Sequence, residues 1–155
     1  MKQHPEALKL YGELLEAKIQ NFGENNLSVA GTYNNMALIL DTIGKPDEAI
    51  RMFDKALEIK YRLLGAVDIG IAATLKNRGN SLLKCWRLEE ALVTFESAVK
   101  MEKIAFNDYH ECIATSLKTI ATILKLMGRT QESVAANQAA LHVEQTVAII
   151  RLGVQ

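Results

Sequence analysis

Five side chains in this 155-residue sequence have the chemistry of metal ligands or nucleophiles: His4, His110, His142, Cys85 and Cys112. Their spacing argues against that use. The histidines fall in different segments, and none has a second ligand or a nucleophile three or four residues away, the spacing that sets two side chains on one helical face. His110 and Cys112 stand two apart, so on a helix they point in different directions. Two cysteines are too few and too irregularly placed for a disulfide framework or a zinc site, and both read as free thiols. No glycine-rich loop is set up to cradle a phosphate, because the glycines fall at helix ends or inside a helical segment. The expectation is a protein that is not an enzyme, with no catalytic residue, no metal and no cofactor.

What does recur is amide and ammonium chemistry. The stretch "GTYNNMALIL" (31–40) sets Asn34 and Asn35 side by side in an apolar helix, and 42 residues later "ATLKNRGNSL" (73–82) sets Lys76 and Asn77 at the same two places. Asparagine competes for nearby backbone groups and is a poor helix former. Its amide, however, offers both a donor and an acceptor, and so can hold a peptide group without reading its side chain.

Composition limits the partners. The chain is 49% hydrophobic and 23% charged, and its 18 basic and 18 acidic residues cancel. It is long enough to bury a substantial core and too apolar to be disordered. A zero net charge gives no global field to draw it to nucleic acid or to an anionic membrane, and its basic residues lack the aromatic interleaving that stacks single-stranded bases. No apolar run approaches the roughly 20 residues of a membrane span, and "MKQHPEALKL" (1–10) lacks the apolar core of a signal peptide. A reducing, cytoplasmic setting is expected.

The elements that position the amides follow a period of 42. Ala30, Ala72 and Ala114 coincide at that interval, as do Leu40, Leu82 and Leu124, Glu48, Glu90 and Glu132, and Ala56, Ala98 and Ala140, with no insertion. Gly23, Gly65 and Asn107 recur where a helix should stop, and these residue types best tolerate a left-handed cap. A second break lies at Gly44 and Gly128, with Trp86 in register between them. Each period thus holds two helices. In the first, Val29, Tyr33, Met36, Ala37, Leu40 and Ile43 share one apolar face. In the second, "KPDEAIRMFDKALEI" (45–59), Pro46 and the acids Asp47 and Glu48 mark the first turn, and Ile50, Phe53 and Leu57 with Ala49 and Ala56 form the buried stripe. Extending the register backwards aligns Ala7 with Ala49 and Tyr11 with Phe53. The expectation is an all-α chain of about seven helices in one domain: an unpaired helix over 5–22, then repeats over 26–65, 68–107 and 110–152.

This pattern resembles the tetratricopeptide repeat, in which a large, a small and a second large residue on helix one precede Ala-x-x-x-Phe on helix two. The matching residues are Tyr33, Ala37, Leu40, Ala49 and Phe53, then Leu75, Gly79, Leu82, Ala91 and Phe95. The third repeat keeps Leu117, Ala121 and Leu124 but places Ser133 and Asn137 where the Ala and Phe stand. The 42-residue pitch, "NNMA" and the exit "ALEIKYRLLG" (56–65) are similar to the repeats of kinesin light chains. The resemblance implies a right-handed α-solenoid of stacked antiparallel helix pairs. Three departures stand out. Arg78 takes the place of Met36 and Ile120 and needs a carboxylate or a path to water. Trp86 replaces a turn glycine, so this turn is either covered by something apolar or presents an exposed anchor. Asn137 implies that the third repeat packs less tightly against a following neighbour.

The resemblance further implies that the first helices line a concave surface and bind a peptide segment of a partner there, as a scaffold or adaptor does. Opposite the core face lie Asn34, Asn35 and Leu38, then Lys76, Asn77, Asn80 and Lys84, then Lys118 and Thr122, with Lys125 at the edge; these form the candidate peptide-binding groove. Four lysines against the single acid Asp41 predict a locally basic face suited to an acidic peptide. Leu38, Leu83 and Leu126 are the candidates for specificity pockets. The alternative is self-assembly. The helix over 5–22 lacks a partner for Leu8, Tyr11, Leu15 and Ile19, and "HVEQTVAIIRLGVQ" (142–155) carries Val143, Val147, Ile150 and Leu152 without the polar cap a solenoid end normally has. The chain is then either a fragment of a longer array or a homo-oligomer that buries its terminal helices against another copy.

Overall fold

The computed structural model describes residues 3–153. Among these, seven helices follow one another without a strand: α1 (Gln3–Phe22), α2 (Leu27–Thr42), α3 (Pro46–Leu64), α4 (Ile69–Lys84), α5 (Leu88–Phe106), α6 (Glu111–Leu126) and α7 (Thr130–Leu152). Each packs on its neighbours in sequence, and α2 also touches α4. The result is a linear stack in which the pairs α2/α3, α4/α5 and α6/α7 succeed one another and α1 lies against α2.

Caps repeat with the same period as the core. Asn26, Asp68 and His110 hold extended backbone before α2, α4 and α6, and each side chain accepts from the backbone N–H two residues on, in Ser28, Gly70 and Cys112. Each satisfies a donor that the first helical turn leaves unpaired. At the other end, the N–H of Lys45 reaches the carbonyl of Leu40 while that of Gly44 reaches Asp41. Arg87 and Trp86 repeat this pairing on Leu82 and Leu83, and Arg129 and Gly128 repeat it on Leu124 and Lys125. These are three Schellman closures, which require a positive φ at the second-to-last position. Glycine supplies it twice; Trp86 holds φ 57° against its own Cβ.

The second helices end differently from the expectation. Gly65 and Asn107 have positive φ (80° and 68°), but their ψ values of −165° and −179° are extended rather than left-handed helical. The chain leaves each second helix in a region open almost only to glycine. Asn107 tolerates it while its side-chain oxygen accepts from the N–H of Tyr109 at 2.8 Å.

Packing follows the repeated small-and-large pattern. Ala30, Ala37, Ala49, Ala56, Ala72, Ala91 and Ala98 are fully buried at helix contacts, where short side chains let backbones approach. Phe53 and Phe95 fill the spaces between. Gly79 stands where Ala37 and Ala121 stand because the Phe95 ring lies against it, and an added Cβ would meet that ring at 2.6 Å. Arg78 finds its carboxylate: its Nε donates to Asp54 at 2.6 Å and its guanidinium also reaches Thr94 at 3.0 Å. Asn137 is exposed, unlike the buried Phe53 and Phe95, as the looser third repeat requires.

Candidate functional site

The ten candidate residues line the sides of α2, α4 and α6 turned away from the buried Val29, Ala37, Leu40, Ile71, Leu82, Ile113 and Leu124. Asn35, Leu38, Asn80, Lys84, Lys118, Thr122 and Lys125 are exposed, and Asn34, Lys76 and Asn77 are half-buried. Asn34, Asn35 and Leu38 on α2 are in register with Lys76, Asn77 and Asn80 on α4, and the two helices are in contact. Among the described residues, the amides of Asn34, Asn35, Asn77 and Asn80 make no side-chain hydrogen bond within the chain. Each therefore keeps two donors and an acceptor for whatever covers the face.

The lysines stand in a different condition. Lys76 donates to Glu102 at 2.5 Å, Lys118 to Glu144 at 2.6 Å, and Lys84 to Asp41 at 2.5 Å. The expected basic field is therefore largely neutralised, because carboxylates of the second helices, separated from the lysines by 26 residues, reach round to the same edge. Lys125 alone of the four has no ion pair among the described residues. Thr122, Thr115 and Thr119 donate their hydroxyls to carbonyls one turn back, at 3.0–3.1 Å, so they present lone pairs rather than donors. Leu38 and Leu126 are exposed as pocket-forming residues need to be, whereas Leu83 is half-buried against the core.

One tie sets the spacing of the inner helices. Asp41 on α2 accepts from the Ser81 hydroxyl at 2.9 Å and from Lys84, both on α4. A second, repeated tie links each pair to the next and is absent from the sequence-based candidates. Lys18 reaches the Thr32 hydroxyl at 2.9 Å, Lys60 reaches Thr74 at 2.7 Å, and Ser116 donates to Glu102 at 2.9 Å. These partners occur 42 residues apart, yet the charge changes sign along the series, which disguises the register as an ordinary surface position. Burial holds the Lys60 ammonium below the ordinary lysine range, while nearby Asp68 opposes the shift.

The remaining chemistry is inert. Cys85 and Cys112 are free, and burial together with neighbouring carboxylates raises both thiols above their usual range. His110 Nδ1 lies 3.0 Å from Cys112 Sγ, but that imidazole nitrogen is the acceptor capping α6. Among the described residues no group of three or more His, Cys, Asp or Glu side chains converges as a metal site would require. No helix is long and apolar enough to cross a membrane.

A linear stack of helix pairs that repeats its caps, core and ties every 42 residues defines a helical-repeat solenoid. The tetratricopeptide repeat model matches residues 1–62 and 70–143, and the chain belongs to that family. Its architecture is similar to solved kinesin light chain-like structures. BtubC (BKLC) from P. vanneervenii superposes with a TM-score of 0.86 at 21% identity over 94% of this chain and 58% of that one. A Podosopora anserina protein provisionally described as a kinesin light chain with nearly identical TPR-like repeats superposes at 0.82, with 16% identity over 93% of this chain and 68% of that one. The chain thus spans little more than half the length of BtubC. No curated protein sequence matches it. Tetratricopeptide repeats generally mediate protein–protein interaction, and the matches establish the fold as an all-α, right-handed solenoid of this type.

Proposed function

We propose that this domain is a scaffold or adaptor that binds an extended peptide segment of a partner protein along the inner face of α2, α4 and α6. The observation that carries this reading is the set of four asparagine amides, on two contacting helices and in register, with no hydrogen-bond partner within the chain. Asparagine inside a helix is disfavoured by several tenths of a kcal/mol against a good helix former, and here the loss has no internal compensation. Peptide groups of a ligand are the natural complement, because each amide can donate to a carbonyl and accept from an N–H at once. Helices already braced by the Asp41–Ser81 tie lower the ordering cost of binding.

With three of the four lysines paired, any preference for acidic residues centres on Lys125, and Leu38 and Leu126 supply the apolar contacts. Nothing in this surface provides base-stacking aromatics or an unneutralised basic track, so the reading is a protein partner in a cytoplasmic setting. The test uses a peptide selected from a displayed random library against the whole chain. Replacing Asn35 and Asn77 together by alanine removes two amides at about 1 kcal/mol each, so the affinity should fall by about 30-fold. An unchanged affinity would sink the groove.

A second reading, assembly of copies through the end helices, rests on exposed Leu10 and Leu14 of α1 and exposed Ile150 of α7. Light scattering across a concentration series decides it, since a strict monomer at high concentration removes it.

A further inference from the structure

Every junction between successive repeats uses one pair of parts. The incoming first helix carries a four-residue plug, Val/Ile-Ala-x-Thr/Ser, which reads "VAGT" at 29–32, "IAAT" at 71–74 and "IATS" at 113–116. All three defining residues are buried in each case. The receiving second helix offers a socket of two apolar residues and one charged residue. In α3 these are Ile50, Leu57 and Lys60, and in α5 they are Leu92, Val99 and Glu102. Leu57 packs with Ile71 and Ala72, and Val99 packs with Ile113 and Ala114. Whether lysine or glutamate, the charged residue takes the plug's hydroxyl.

In α7 the same register holds Val134, Leu141 and Glu144, and there the socket is bare. Val134 and Leu141 are 50% and 53% exposed, where their counterparts Leu92 and Val99 are 5% and 7%. Glu144 already has the Lys118 partner that corresponds to Lys76 on Glu102, and lacks only the hydroxyl. The face runs on into a depression of about 610 Å³ between α6 and α7, with Ala114, Val147 and Leu152 among its walls.

We infer that the outer face of α7 is a docking site for an amphipathic helix of a partner polypeptide that bears a Val/Ile-Ala-x-Thr/Ser plug, its hydroxyl meeting Glu144 and its aliphatic pair meeting Leu141. The occupant is not a second copy of this domain, because all three plugs of the sequence are buried in its own junctions. Nor does the site depend on the inner groove, from which it differs in both helix and chemistry: the groove offers uncommitted amides, and this face offers aliphatics with one carboxylate.

The test adds a labelled peptide of residues 111–126, cross-linked on its solvent face so that it is already helical, to the whole chain under reducing conditions and follows fluorescence anisotropy. Saturable binding is expected. Leu141→Glu, at an exposed position where folding is not at stake, should weaken it at least tenfold, and Ser116→Ala within the peptide should weaken it several-fold. Asn35→Ala with Asn77→Ala should leave it unchanged, which separates this site from the groove. Absence of saturable binding overturns the inference, as does binding indifferent to Leu141→Glu. A concentration-dependent dimer that Leu141→Glu abolishes would assign the face to a second copy instead.

Discussion

The sign change in the inter-repeat tie can be tested by moving the first repeat's chemistry into the second. In the first repeat Asn34 accompanies Lys60; in the second, Lys76 accompanies Glu102, whose side chain is only 1% exposed. Glu102→Lys removes the acceptor for both Lys76 and the buried Ser116 hydroxyl, and breaking a buried pair in this way costs about 3–5 kcal/mol. It also sets two ammonium groups against each other, a repulsion of about 4 kcal/mol at 4 Å for an effective dielectric near 20. Lys76 keeps 28% exposure and can swing its ammonium outward, which relieves much of the second contribution. The net expectation is a loss of about 4 kcal/mol. Adding Lys76→Asn removes the repulsion and recreates the Asn34, Lys60 and Thr74 set, in which the ammonium donates to a hydroxyl. The second change should therefore restore about 2 kcal/mol or more, although alone it removes an ion-pair partner. Urea titration followed by far-ultraviolet circular dichroism measures both changes, and amide exchange in α6 shows whether the loss is local to that junction. The reasoning fails if the single variant loses under about 1 kcal/mol, below the range for a buried pair, or if the double variant is no more stable than the single.

Further outcomes follow from the same geometry. Gly79→Ala gains about 1 kcal/mol of helix propensity but drives a methyl into the Phe95 ring at a cost of about 1–3 kcal/mol, so a net loss is expected in the same titration, reduced in a Phe95→Leu background. Trp86→Gly relieves the positive φ and should stabilise the chain by about 1 kcal/mol, seen as a rise of about 3 °C in Tm by calorimetry. Asp68→Ala removes the cap of α4 and should cost about 1 kcal/mol by denaturant titration. Because Lys60 titrates below the ordinary lysine range, the folded chain releases that proton before the unfolded chain does, and the unfolded state binds more protons in between. The stability of the parent relative to Lys60→Met should therefore rise as pH climbs through the lowered Lys60 value toward the ordinary one; a falling difference would contradict the assignment.

The amino-acid order by itself determined the seven helices, their pairing and the residues of the core. Those features depend on local periodicity and on a repeat that needs no insertion, and both are properties of one-dimensional spacing. It also determined which side chains share the inner stripe, since a helix of known register orients all of them. The charge of that stripe belonged to the tertiary structure. Lys76, Lys84 and Lys118 read as free cations until folding brought Glu102, Asp41 and Glu144 within 2.5–2.6 Å, and those contacts join residues 26 or 43 positions apart. Likewise Trp86 could have been covered or bare, and its 73% exposure was decided by where the neighbouring turns lie. A helix face is written in sequence at intervals of three and four; which groups meet across two faces depends on how the helices pack, and only the fold supplies that distance.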